Sequence, residues 1–158
     1  MIKFPNTIKW IITDFDGIIT DNCAYIDENQ NISRRINFKD VMALSILKKN
    51  GFEIAIISGE KNSAIELMAK KFNIEEIHQN IRVKIDVLKS ILERYNLSPE
   101  EYIYIGDDIN DIECLNYAKY KATVPSAVKK VLSIDNIQIT DSRGGDGGFR
   151  EIVDALVP

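Results

Sequence analysis

Ile8-Lys9-Trp10-Ile11-Ile12-Thr13-Asp14-Phe15-Asp16-Gly17 is the stretch that decides how this chain is read. An apolar run of strand length ends in two carboxylates and a glycine. Far downstream the pattern returns: Tyr102-Ile103-Tyr104-Ile105 runs into Gly106-Asp107-Asp108, with Asp111 shortly after. Nearly continuous apolar strands belong inside parallel sheets, buried on both faces. Ligands of such sheets sit beyond the carboxyl ends of the strands. Two acid clusters, each just past a buried strand, therefore point to one acidic site at one sheet edge. Such a site attracts a hard cation such as Mg²⁺, and the cation attracts phosphate.

The rest of the chain fits around these two strands. Residues 25–26 and 32–38 read as short strands about the polar turn 27–31, a hairpin over roughly residues 22–38 that projects from the main fold. Asp40 is expected to cap a helix reaching Asn50, with Gly51 as its stop. Residues 52–57 form the next strand, ended by Ser58-Gly59, and a helix follows from about residue 60 to 72. A short strand at 74–78, a helix at 83–95, the strand at 102–105 and a helix at 109–117 complete the middle. Strands at 122–124 and 137–140 enclose a short helix at 127–132. Glycine crowds residues 143–148, and a helix over 149–156 closes the chain. Strands alternating with helices predict a doubly wound α/β domain, a parallel sheet covered on both faces, spanning residues 1–158 without internal division.

With 158 residues, 45% hydrophobic and 28% charged, the chain has the composition of an ordinary globule with one core. A net charge of −4 disfavours a nucleic-acid partner, which needs a basic face. No apolar run approaches the ~20 residues of a membrane span, and residues 1–6 lack a secretory h-region. Cys23 and Cys114 form no CxxC pair and read as free thiols of a cytoplasmic protein. Trp10 reads as core, and His78, the single histidine, as a structural residue.

At the predicted sheet edge stand carboxylates, the hydroxyl of Ser58 and the ammonium of Lys84. That set suits phosphoryl transfer. Carboxylates hold Mg²⁺, Lys84 neutralises phosphate oxygens, and Ser58 with the backbone N–H groups of an expected helix start at Ser58-Gly59 binds another oxygen. One carboxylate is left to act as nucleophile, splitting a hard hydrolysis into two displacements. A second acid two residues on can protonate the leaving oxygen and then deprotonate water.

Asp14-Phe15-Asp16-Gly17 with Thr20, then Ser58, Lys84 and Gly106-Asp107-Asp108-x-x-Asp111, resembles the four-motif signature of the haloacid dehalogenase superfamily. The motifs occur in order across nearly the whole chain. The resemblance implies Asp14 as nucleophile and Asp16 as acid and base. It implies Mg²⁺ held by Asp14, the Asp16 carbonyl and Asp107, phosphate bound by Ser58, Gly59 and Lys84, and support from Thr20, Asp108 and Asp111. Between these motifs there is no room for the cap domain most members carry. A capless subunit accepts an open site or borrows cover from a neighbour, so an oligomer is expected, with the hairpin as its packing element.

Further stretches resemble a capless, homotetrameric branch of the superfamily that dephosphorylates small phosphorylated 2-keto-3-deoxy sugar acids. These are residues 16–21, Asn37-Phe38-Lys39-Asp40 and the glycine-rich Arg143-Gly144-Gly145-Asp146-Gly147-Gly148. The branch acts on 3-deoxy-octulosonate 8-phosphate or on sialic-type nonulosonate 9-phosphates. Val41 departs from the octulosonate pattern, and Gly59-Glu60-Lys61 is more like the nonulosonate one, which leaves substrate length open. Glu60 and Lys71, placed on one face of one helix, and Arg143 and Arg150, flanking the glycines, are the candidate contacts to the sugar acid. Two other readings remain: a non-catalytic oligomerisation module, and a phospho-receiver domain, disfavoured because the strand at residues 54–57 ends in Ser58 rather than an acceptor aspartate.

Overall fold

β1 (Trp10–Thr13) is buried along its whole length, which places it between two neighbours rather than at an edge. In the computed structural model, which describes residues 2–157, those neighbours are β4 (Glu53–Ile57) and β6 (Tyr102–Ile105), both parallel to it. β5 (Glu76–His78) lies outside β4, and β7 (Tyr120–Thr123) and β8 (Gln138–Ile139) lie outside β6. The six strands run in the order β5-β4-β1-β6-β7-β8, all parallel. The chain winds outward from β1 to one edge, then returns to β6 and winds to the other. The reversal falls beside β1, where a doubly wound sheet opens its ligand crevice.

Period-two alternation divides the apolar strand residues between two cores. Ile11, Ile54, Ile56, Ile103 and Ile105 face one way. They meet Leu44 and Leu47 of α1 (Phe38–Lys49), Ile65 and Met68 of α2 (Ser63–Phe72), and Phe149 and Ile152 of α6 (Gly148–Leu156). Trp10, Ile12, Ala55, Ile57 and Tyr104 face the other way. There they pack on Leu88 and Ile91 of α3 (Lys84–Arg94), Leu115 of α4 (Ile112–Tyr117) and Val131 of α5 (Lys129–Leu132). Each fully buried leucine or isoleucine contributes roughly 1.5–3 kcal/mol of transfer free energy. The expected parallel sheet covered on both faces is the one observed.

Boundaries moved where a nearer side chain captured the backbone first. Asp40 does not cap α1. Asn37 does: its side chain accepts from the Lys39 N–H at 2.9 Å. Phe38 therefore opens the helix, and the hairpin strands shorten to β2 (Tyr25–Ile26) and β3 (Ile32–Ser33). Likewise α2 begins at Ser63, because Asn62 is extended and its side chain accepts from the Ile65 N–H at 3.0 Å. Ser58-Gly59 is thus the head of a loop, not a helix start, and Glu60 lies outside α2. The expected helix at 109–117 splits into a tight 3-10 turn, Ile109–Asp111, followed by α4.

Freed from capping its own helix, Asp40 caps another. Its carboxylate is fully buried and accepts from the N–H groups of Gly147 and Arg150, each at 3.0 Å. Gly147 occupies the N-cap of α6 and has no side chain to offer, so Asp40 of α1 supplies the missing acceptor. The glycine-rich segment before α6 packs down with it. A Cβ on Gly144 would collide with the Gly17 carbonyl, and the Gly145 N–H donates to the Ile18 carbonyl at 3.2 Å.

Asp40→Ala leaves two buried N–H groups without an acceptor and should lower unfolding free energy by about 2–4 kcal/mol in urea titrations. Asp40→Asn keeps one acceptor and should lose less. A midpoint unchanged in Asp40→Ala would show that α6 is held by its apolar face alone.

Candidate active site

Asp14 is the first residue past β1, and its N–H donates to the Ile105 carbonyl at 2.9 Å, continuing the ladder to β6. One carboxylate oxygen, Oδ1, accepts from the Phe15 N–H at 2.7 Å. The other, Oδ2, pairs with the Lys84 ammonium at 2.9 Å. Lys84 opens α3, and its side chain is 0% exposed. A second ion pair, 2.8 Å to Asp111 Oδ1, fixes the ammonium from the far side. Asp111 is itself saturated: Oδ1 also accepts from the Tyr104 hydroxyl at 2.8 Å, and Oδ2 accepts from the N–H groups of Asp107 and Asp108, each at 3.2 Å. A carboxylate has about four acceptor positions, and all of Asp111's are taken. Asp108 accepts from the Ile109 N–H and forms a reciprocal capping box with Asp111.

Asp107, past the end of β6, is different. It is 3% exposed, and its Oδ1 has no hydrogen-bond partner among the described residues. Its carboxylate lies against Gly17, where a Cβ would collide with it, and Gly17 has φ +92°. Only glycine suits both conditions there. Oxygens of Asp14, Asp107 and Asp111 come within 4.8 Å of one another. Since Asp111 is spent on Lys84, Tyr104 and two amides, Asp14 and Asp107 are the side chains left to hold a cation. An unpartnered buried carboxylate oxygen beside a second carboxylate fits a hard divalent ion.

Three acids around one buried lysine leave surplus negative charge. Burial above all, then the Asp111 charge, raises the Asp14 carboxyl to about 7, against the pull of Lys84. Burial, then the charges of Asp14, Asp111 and Asp108, raises Asp107 to about 8. For Lys84, burial is the largest influence and disfavours the ammonium. The Asp111 and Asp14 charges outweigh it, so Lys84 is raised above its ordinary value. Tyr104, buried and facing Asp111, is held well above the usual phenol range and stays a donor.

Above the acids opens a cleft of about 400 Å³ whose lining includes Asp14, Asp16, Ser58, Gly59 and Glu60. Ser58 is 1% exposed, and its Oγ accepts from the Glu60 N–H at 3.2 Å. Asp16 Oδ1 accepts from the Thr20 hydroxyl at 3.0 Å. So the expected set of Asp14, Asp16, Ser58, Gly59, Lys84 and Asp107 converges on one edge, with Thr20, Asp108 and Asp111 bracing it. The expected sugar contacts divide. Glu60 lines the cleft, but Lys71 lies near the end of α2 and exposed, so the two share no helix face. Arg143 is exposed, and Arg150 pairs with Asp154 at 2.6 Å one turn along α6. Neither is part of the cleft lining.

Sequence reasoning passed over several residues here. Arg34 reaches Asp16 at 3.0 Å. Arg35 bridges Asp21 at 2.8 Å and Asp146 at 2.6 Å. Asn62 donates to Asp16 at 3.3 Å. Arg82 and Asn110 line the cleft. Two consecutive arginines leaving a hairpin next to an acidic loop were the available signal for the first two. The His78 side chain bonds Glu76 at 2.8 Å, two positions back on the same strand, β5.

A sequence profile of the haloacid dehalogenase-like hydrolase family matches residues 24–124. The 3-deoxy-D-manno-octulosonate 8-phosphate phosphatase KdsC of Salmonella typhi is 27% identical over 157 residues, covering 99% of this chain and 82% of its own length. A solved structure of the 3-deoxy-D-manno-octulosonate 8-phosphate phosphatase from Moraxella catarrhalis, in complex with magnesium, phosphate and KDO, superposes with a TM-score of 0.90. It is 26% identical and covers 96% of this chain and 87% of that one. A probable YrbI-family phosphatase from Pseudomonas syringae pv. phaseolica also superposes at 0.90, with 30% identity over 96% and 86% of the two chains.

Because Asp14 and Asp107 have folded-state values above the ordinary 3.8, their ionisation opposes folding. The stability they lend is complete below about pH 4 and is lost as pH rises through about 7 and 8. In metal-free protein, Asp107→Asn should therefore be more stable than wild type at about pH 8, by roughly 1–3 kcal/mol, with the gap closing towards about pH 4. Adding Mg²⁺ should favour wild type. A gap independent of pH in calorimetric melts contradicts this.

Proposed function

The chain belongs to the haloacid dehalogenase-like hydrolase family, and from that premise we propose that it is a Mg²⁺-dependent phosphatase of a phosphorylated 2-keto-3-deoxy sugar acid. 3-Deoxy-octulosonate 8-phosphate is the first candidate, because the relatives that align over 99% of the chain are named for it. One observation carries the chemistry: Asp14, clamped by buried Lys84, sits at the sheet edge beside an unpartnered Asp107 carboxylate oxygen.

Asp14 attacks phosphorus and takes the phosphoryl group. Asp16 gives a proton to the departing sugar oxygen. Asp16 then takes a proton from water, whose oxygen attacks phosphorus and releases inorganic phosphate and free Asp14. Lys84 spends two of its three N–H donors on Asp14 and Asp111, which leaves one for a phosphate oxygen. The Ser58 hydroxyl, accepting from Glu60 N–H, keeps its own proton to donate beside the Gly59 backbone. Asp14, Asp107 and the Asp16 carbonyl would hold Mg²⁺, which neutralises phosphate charge when bound. A non-catalytic module would have no use for this retained set.

Between β1 and β4 the described chain holds only the hairpin and α1, and between β4 and α3 only α2 and β5. That supports a capless subunit. The hairpin exposes Tyr25, Ile26 and Ile32, and Phe38 and Met42 of α1 are exposed too. An apolar set of this kind favours association, and a homotetramer in the cytoplasm is the proposed form; light scattering at one chain's mass would refute it. A nine-carbon substrate is the second reading, favoured by Glu60 in the cleft lining where the nonulosonate-like Gly-Glu-Lys stands.

Phosphate release from octulosonate 8-phosphate and from a nonulosonate 9-phosphate, at equal concentration with Mg²⁺, tests the assignment. The eight-carbon ester should give the higher kcat/KM. Asp14→Asn should lose at least about 10³-fold of kcat while keeping its circular dichroism melt. Turnover retained in Asp14→Asn contradicts the covalent role, and faster nine-carbon turnover selects the second reading.

A further inference from the structure

The geometry points to Arg34 and Asn62 as positioning residues that orient the Asp16 carboxylate, so that its Oδ2 is the oxygen that exchanges the proton with the leaving group and water. This rests on the phosphatase reading above. Asp16 sits in a loop, where a carboxylate is free to rotate unless its neighbours stop it. Its Oδ1 receives two donors, the Thr20 hydroxyl at 3.0 Å and Arg34 Nε at 3.0 Å. Its Oδ2 has one long contact, Asn62 Nδ2 at 3.3 Å. Oδ1 is thus committed, Oδ2 is the less occupied oxygen, and Asp16 lines the cleft.

Both positioning groups are themselves anchored. Arg34 leaves β3, and its side chain and that of Asp16 are each only 17% exposed, so the pair is screened less than a surface bridge. The next residue, Arg35, ties this strand exit to Asp21 on one side and Asp146 on the other. Asn62 is 7% exposed. Its Oδ1 is committed to the Ile65 N–H at 3.0 Å as the cap of α2, and its N–H donates to Gln79 Oε1 at 2.8 Å. With its oxygen spent on the helix, the Nδ2 group is the end that faces Asp16. The hairpin and α2 therefore converge on one carboxylate from two distant segments of chain.

The proton step is selective for leaving group. When Asp14 displaces a sugar alkoxide, the breaking P–O bond leaves its electron pair on an oxygen too basic to depart unprotonated, and Asp16 supplies the proton. p-Nitrophenolate departs without one. A misaligned Asp16 should therefore slow the first ester far more than the second, whereas general loss of the site slows both.

The experiment compares kcat and KM of wild type, Arg34→Ala, Arg34→Lys and Asn62→Asp on octulosonate 8-phosphate and p-nitrophenyl phosphate with Mg²⁺. Arg34→Ala should lose on the order of 10²-fold in kcat on the sugar ester, with at least about tenfold less loss on the aryl ester. Arg34→Lys, which keeps the charge, should recover part of the difference. Asn62→Asp keeps an acceptor for the α2 cap but sets an anion against Oδ2, and should show the same selectivity. Equal losses on both esters, no loss, or a raised KM with kcat intact would each overturn the positioning role. If wild type releases phosphate from neither ester, the phosphatase reading falls first and this inference with it.

Discussion

A single buried ammonium organises this protein. Lys84 is wholly enclosed, and its charge is met by Asp14 on one side and Asp111 on the other. Burying an ion costs several kcal/mol unless its partners are well placed and themselves satisfied. Asp111 meets that condition by closing every acceptor position with Lys84, the Tyr104 hydroxyl and two loop amides. The same bonds shape the loop after β6 and so place Asp107. Removing either partner of such a pair costs about 3–5 kcal/mol. The clamp is therefore structural at its root: it ties the end of β1 to the head of α3 and to the turn after β6.

The clamp also leaves a deliberate imbalance. Asp14, Asp107 and Asp111 outnumber the lysine, and burial raises Asp14 and Asp107 to about 7 and 8. A small divalent ion held by Asp14 and Asp107 would close the deficit of positive charge. Around this centre, Gly17 lets Asp107 approach, the tail packs behind the same loop through Gly144 and Gly145, and Arg35 stitches loop, hairpin and tail together.

Residues 102–105 were legible as a strand to the residue, because a central parallel strand is apolar on both faces and needs no partner to be identified. The acids after it, and those after β1, were legible for the same reason. Capping was harder to read. Asn37 and Asp40 are both capping residues three positions apart, and only the presence of α6 decides that Asp40 serves a different helix. Glu60 was placed on a helix because nothing local separates a loop at 58–62 from a first turn; Asn62 decides it. Arg34 and Asn62 escaped notice because their partner, Asp16, lies far from both in sequence, and a surface charge or amide is the default until the fold brings it in. Lys71, Arg143 and Arg150 lie outside the lining of this subunit's cleft: a charge near a motif in sequence is no guide to where its side chain ends.

Covalent capture at Asp14 is the step on which the whole reading turns. Rapid quenching of enzyme with phosphate-labelled octulosonate 8-phosphate and Mg²⁺, borohydride reduction of the acyl phosphate, and peptide sequencing would locate it. Homoserine at position 14 is the predicted result. Homoserine at position 16 or 107, or phosphate released in a burst-free course with no reducible adduct, would contradict it.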